Sequence, residues 1–139
     1  MNAQDTVAKM EHVWASIAAL CATLTAQEWH TATDCPGWTV QDQLAHLVGS
    51  ESRLLGFPVP EHTPGDTSHV QNAIGQQNEI WVDWYRSQPG AEVLQRFRAL
   101  TGQRLAILQA MQPADFEAPT QTPIGPGTVH DLLQIRIFD

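Results

Sequence analysis

Between its proline and glycine clusters this chain places apolar residues at intervals of three and four, and nowhere do they alternate with a period of two. Three-four spacing is the period of one helical face, so the pattern predicts an all-α fold and gives no support for strands. The first segment runs to about residue 24, with Asp5 as its cap and Val7, Met10, Val13, Trp14, Ile17, Leu20 and Cys21 on one stripe. Thr25-Ala-Gln-Glu28 has the form of a capping box that starts a short turn, and Pro36-Gly37 fixes a loop over 31–38. Thr39-Val-Gln-Asp42 opens a second helix to about residue 56, after which Pro58, Pro60, Pro64 and Gly65 make a long connection.

Asp66, Thr67 or Ser68 is the expected cap of a third helix reaching about residue 87, with Val70, Ile74, Trp81, Trp84 and Tyr85 as its buried face. Pro89-Gly90 turns into a fourth helix carrying Val93, Leu94, Phe97, Thr101, Leu105 and Leu108. The stretch 112–127 reads as loop, and Thr128-Val-His-Asp131 starts a last helix. That helix has no exit glycine and no proline, so the pattern predicts a natural helix continuing past Asp139, in a chain cut short. Four long helices with turn-rich joints predict an antiparallel four-helix bundle, one domain over residues 1–139.

Charge excludes one class of function. Seven basic against fifteen acidic side chains give a net charge of −8, with Lys9 the single lysine. Tracking nucleic-acid phosphates needs clustered Lys and Arg, so neither DNA nor RNA is an expected partner. No run of 18 or so apolar residues could span a membrane, and the segment before 13–24 sets Asp5 and Glu11 against Lys9, the wrong flank for a secretory signal. Cys21 and Cys35 have neither C-x-x-C spacing nor the density of a secreted scaffold, so a reduced, cytoplasmic protein is expected.

The chain contains no H-E-x-x-H, no C-x-x-C, no glycine-rich phosphate loop and no G-x-S-x-G elbow. His12, His30, His62, His69 and His130 read as surface polar residues. His46 shares a polar stripe with Gln43, Ser50 and Arg53, away from the apolar stripe of Val40, Leu44, Leu47, Leu54 and Leu55. Periodicity alone therefore makes His46 a solvated residue and Arg53 a surface cation, or a clamp for a substrate carboxylate.

The run from Trp29 through Cys35-Pro36-Gly37-Trp38 and Thr39-Val40-Gln-Asp42 to His46-Leu47 resembles the signature of the mycothiol-dependent maleylpyruvate isomerase N-terminal domain, in the DinB-like group of metal-binding four-helix bundles. Asn78-Glu79-Ile-Trp81 resembles the same family's third helix, and 122–128 with Asp131-Leu-Leu and 136–139 resembles the entry to its last helix. The resemblance implies zinc, or another divalent metal, held by His46, by Asp139 and by a histidine four residues beyond Asp139. Ligands at i and i+4 share a helical face, and three of them leave a position open for water or a thiolate.

The resemblance further implies that zinc lowers the pKa of the thiol of mycothiol, and that the thiolate adds to a small electrophilic substrate, ending in isomerisation or S-transfer. Arg53 is the expected substrate clamp, and Cys35 is expected to pack in its turn rather than act as nucleophile. Asp139 is a methylene shorter than the Glu common in the family, and nothing in this chain corresponds to the second, C-terminal domain of its isomerases. A metal-dependent hydrolase on the same bundle, and a non-catalytic helical binding module lacking a complete metal site, are the competing readings. The expected partners are a small-molecule thiol and its electrophile, with a homodimer as the candidate assembly.

Overall fold

A computed structural model of the chain describes residues 1–139 apart from Asp66, His69 and Gln71. The described residues are mostly helical: α1 (Ala3–Cys21), a 3-10 turn (Glu28–His30), α2 (Val40–Leu54), α3 (Ala73–Tyr85), α4 (Gly90–Ala110), α5 (Pro113–Phe116) and α6 (Val129–Ile137). Between α5 and α6, β1 (Pro119–Thr122) pairs antiparallel with β2 (Gly125–Thr128), Thr122 opposite Gly125. The expectation of a strictly all-α four-helix bundle is corrected by this hairpin and by the short α5. A four-residue strand reading Gly-Pro-Gly-Thr offers no alternation to detect. Backbone pairing builds it, helped by the Thr122 hydroxyl, which donates to Gly125 O at 2.7 Å.

Capping residues start the elements where side-chain oxygens can satisfy the first free N–H groups. Thr39 and Asp42 form a reciprocal capping box at α2, and Thr128 and Asp131 form another at α6, as the sequence predicts. Thr25 and Glu28 exchange the same pair of bonds before the 3-10 turn. Two other caps differ from expectation. Asn2 Oδ1, not Asp5, accepts at the start of α1, from Asp5 N at 2.8 Å. Asn72 Oδ1 accepts from Gly75 N at 2.8 Å, so α3 begins later than Thr67 or Ser68 would place it. The remaining candidate cap, Asp66, and His69 lie outside the described residues.

The chain divides into two compact units, the division falling within α1 and α4. One comprises Met1–Ile17 and Gly102–Asp139. It buries Val7, Met10 and Trp14 of α1, spaced three and four, together with Leu108, Phe116 and Leu133 from three other helices. Thr6, fully buried, meets Nε2 of His130 at 2.8 Å, which ties the start of α1 to the first turn of α6.

The other unit is Ala18–Thr101. Its apolar interior includes Leu44, Ala45 and Val48 of α2, Trp81 and Val82 of α3, and Val93, Phe97 and Leu100 of α4. The start of α2 meets the end of α3, where Gln41 Nε2 donates to Tyr85 O and Gln88 O, and farther along Gly49 lies under Trp81; the two helices therefore run antiparallel. A Cβ built on Gly49 would stand 2.6 Å from Cβ and Cγ of Trp81, so only glycine permits this approach. Gly90 is likewise covered by the ring of the buried Trp29. Ile74 and Trp84 are exposed, unlike the buried face expected of them; on α3 the buried positions are Glu79, Trp81 and Val82.

Candidate functional site

The turn Cys35-Pro36-Gly37-Trp38 builds one wall of the site. Trp38 N donates to Cys35 O at 3.0 Å, and Gly37 has φ +79°. Proline at the second position and a left-handed glycine at the third define a type II turn. Thr33 closes the loop, its N–H and hydroxyl both donating to Trp38 O, at 3.1 and 2.9 Å. The chain then enters α2 through the Thr39–Asp42 capping box. The indole lies against the imidazole of His46, ring centroids 5.4 Å apart and planes inclined by 39°. His46 is half-buried with its Nδ1 buried, not on a solvated stripe. The stripe itself turns partly inward: Ser50 is buried, and Gln43 donates to Thr33 Oγ1 at 3.1 Å.

A charged network stands behind Trp38. Its Nε1–H donates to Glu79 Oε2 at 3.1 Å, and Glu79 is 1% exposed. The guanidinium of Arg86 lies 3.2 Å from Glu79 Oε1, donates from Nε to Asp42 Oδ1 at 3.2 Å, and donates from Nη1 to Asp83 Oδ1 at 2.8 Å. Partial burial alone would lower the pKa of Arg86, but Asp83, Asp42 and Glu79 outweigh it and raise it. Asp83 Oδ2 meets His62 Nε2 at 2.6 Å, and the His62 ring stands edge-on to Trp84. Burial pushes the Asp83 carboxyl up, yet the hydrogen bonds from His62 and Arg86 prevail and hold it below its ordinary value.

None of Glu79, Asp83, Arg86 or His62 carries a role in the sequence reading. A signal for three of them was present: Glu79, Asp83 and Arg86 are spaced four and three, so they share a face of α3.

Arg53 is exposed in the last turn of α2. Asp139 is exposed and lies beyond the end of α6, where its carboxylate pairs with Arg136 of the preceding turn. His46 belongs to the unit Ala18–Thr101 and Asp139 to the other. Among the described residues no group of three or more His, Cys, Asp or Glu side chains is placed to hold a metal ion. Cys35 is exposed rather than packed, and burial pushes the thiol of Cys21 up, away from the reactive thiolate. No helix among the described residues is long and apolar enough to cross a membrane.

A mostly helical domain with a Cys-Pro-Gly-Trp turn packed onto a half-buried histidine is the class this geometry defines. The chain matches the mycothiol maleylpyruvate isomerase N-terminal domain over residues 10–139, and it belongs to that family. Its fold is similar to the crystal structure of an uncharacterised protein from Clostridium difficile 630, with a TM-score of 0.67 at 12% identity, over 98% of this chain and 86% of that one. No curated protein matches it.

Proposed function

We propose that this chain is the helical domain of a thiol-dependent enzyme acting on a small electrophilic substrate, with mycothiol as the thiol. What supports the reading is the Trp38–His46 pair, built by the turn that also carries the family resemblance. A bound thiol supplies a sulfur nucleophile that adds to an electrophilic carbon and then leaves, isomerising a double bond, or stays as the conjugate.

The chain's own residues have the following parts in this proposal. His46 presents an imidazole, a side chain able to take up a proton or to ligate a metal. Trp38 packs against that ring. Arg53 is the cation assigned to a substrate carboxylate. Arg86 is unsuited to that task, because Asp42, Asp83 and Glu79 already engage it.

His46 and Asp139 are the side chains assigned to a divalent metal. Two are fewer than the three protein ligands of a catalytic zinc, and Arg136 engages the Asp139 carboxylate. The described residues therefore do not make a complete zinc set.

The test is a zinc titration of the full chain and of His46→Ala, with turnover of electrophiles assayed with and without a low-molecular-weight thiol. At least tenfold weaker zinc binding in the variant, and turnover only with thiol, are the expected results. Zinc affinity untouched by the substitution sinks the ligand assignment; turnover without thiol moves the chain to hydrolytic chemistry.

A further inference from the structure

Trp38 is clamped at both ends. Its backbone is held by the type II turn and by Thr33, and its indole N–H by Glu79. A buried carboxylate is costly unless paired, and the guanidinium of Arg86 supplies the pair. Arg86 is itself fixed across two helices. Asp42 belongs to the first turn of α2 and Asp83 to the last turn of α3, and Asp42 keeps its other oxygen on Thr39 N at 2.9 Å, inside the capping box. Cation and anion both sit favourably here, Arg86 at the carbonyl end of α3 and Asp42 at the N–H end of α2.

A stability role alone would not require this arrangement. Buried ion pairs are often replaceable by apolar side chains without loss, whereas a hydrogen bond to a fixed carboxylate has direction and sets the orientation of what it holds. What it holds is an indole ring lying against His46.

We infer that Glu79 and Arg86 are positioning residues, which act through Trp38 to set the orientation of the His46 ring. The inference rests on the proposal that His46 is the working side chain, and it deepens that proposal by naming what aims the ring. Outer groups that orient a metal-binding or catalytic histidine commonly change affinity by tenfold or more when removed.

Nuclear magnetic resonance of the full-length chain tests it. The Trp38 indole N–H is assigned by its loss in Trp38→Phe, and the ring-current shift on His46 by its loss in Trp38→Leu. In Glu79→Leu the indole proton is expected to exchange with solvent at least tenfold faster. The His46 ring signals should move toward their Trp38→Leu positions, and zinc affinity should fall about tenfold. His46 ring signals at their wild-type positions in a folded Glu79→Leu protein overturn the inference. If that variant does not fold, Arg86→Gln gives the same readout, and unmoved His46 signals there overturn it equally. In a wild-type chain that takes up no zinc, the ring signals alone decide whether Glu79 and Arg86 position His46.

Discussion

Gly37 has φ +79°, and a Cβ built there would meet nothing within 4 Å. Its substitution therefore isolates a conformational cost from a steric one. An L-residue held in the left-handed region is disfavoured by roughly 1–2 kcal/mol, so Gly37→Ala should lower the free energy of unfolding by about that much in urea titration. Gly37→Asn should lose less, because asparagine tolerates this region. Equal stability of all three proteins would contradict the type II assignment. Proline followed by glycine was enough to mark a loop here in sequence; the direction in which the turn sends Trp38 was not, because it depends on Thr33 closing the loop from the other side. His46 shows the same limit. Helical spacing put it on a polar stripe, whereas it is half-buried with an indole from eight positions earlier packed against it.

Elements pair where small residues allow it. On α2, Gln41, Ala45 and Gly49 follow each other at intervals of four, and this stripe meets α3 through the Gln41 amide and the Gly49–Trp81 contact. Gly49→Ala forces a methyl group against Trp81, so overpacking should destabilise the protein by on the order of 1–3 kcal/mol. The checking measurement is the urea midpoint, which should fall with little change in slope. An unchanged midpoint would mean that α2 and α3 stand farther apart than this packing requires. The helices themselves were legible from apolar spacing and capping residues. Their polar interiors were not, since Asp42, Ser50, Ser52 and Glu79 are buried charged or hydroxyl groups that any amphipathic reading assigns to solvent.

At the scale of the whole molecule, carboxylates in both units bind protons less readily than they would unfolded. Hydrogen bonds from the Thr25 backbone and side chain lower Glu28, and those from Thr128 lower Asp131. Asp83 is lowered by His62 and Arg86 against the effect of its own burial. For each, the unfolded chain holds more protons across the window between the two pKa values, so their stabilisation is complete above the ordinary carboxylate range and is lost as pH falls through the folded values. The ordinary values are 4.5 for Glu28 and 3.8 for the two aspartates. The melting temperature should therefore begin to drop near pH 4.5 and continue downward below 3.8. Thermal melts across that range check this, and Asp83→Asn should flatten part of the slope. Acidification also discharges the net −8, which lessens long-range repulsion; a melting temperature that rises below pH 4 would show that repulsion, not capping, governs acid stability.

By itself the sequence determined the local grammar of this protein: where most helices start, most of the apolar residues that point inward along α1 and α4, though not the exposed Leu20, and a net charge of −8 that argues against tracking nucleic-acid phosphates. Those properties depend on neighbours three or four residues away, or on total charge, and both can be read along the chain. Family membership was legible too, in the Cys-Pro-Gly-Trp turn and the histidine that follows it. Only the tertiary structure decided the rest. The 119–128 hairpin rests on backbone pairing that side-chain patterns do not record. The Glu79–Arg86–Asp42 network joins residues 44 and 37 positions apart on two helices, through carboxylate and guanidinium contacts that no periodicity encodes. Whether a buried carboxylate is a burden or a fixed acceptor depends on the cation brought to it, and only folding brings it.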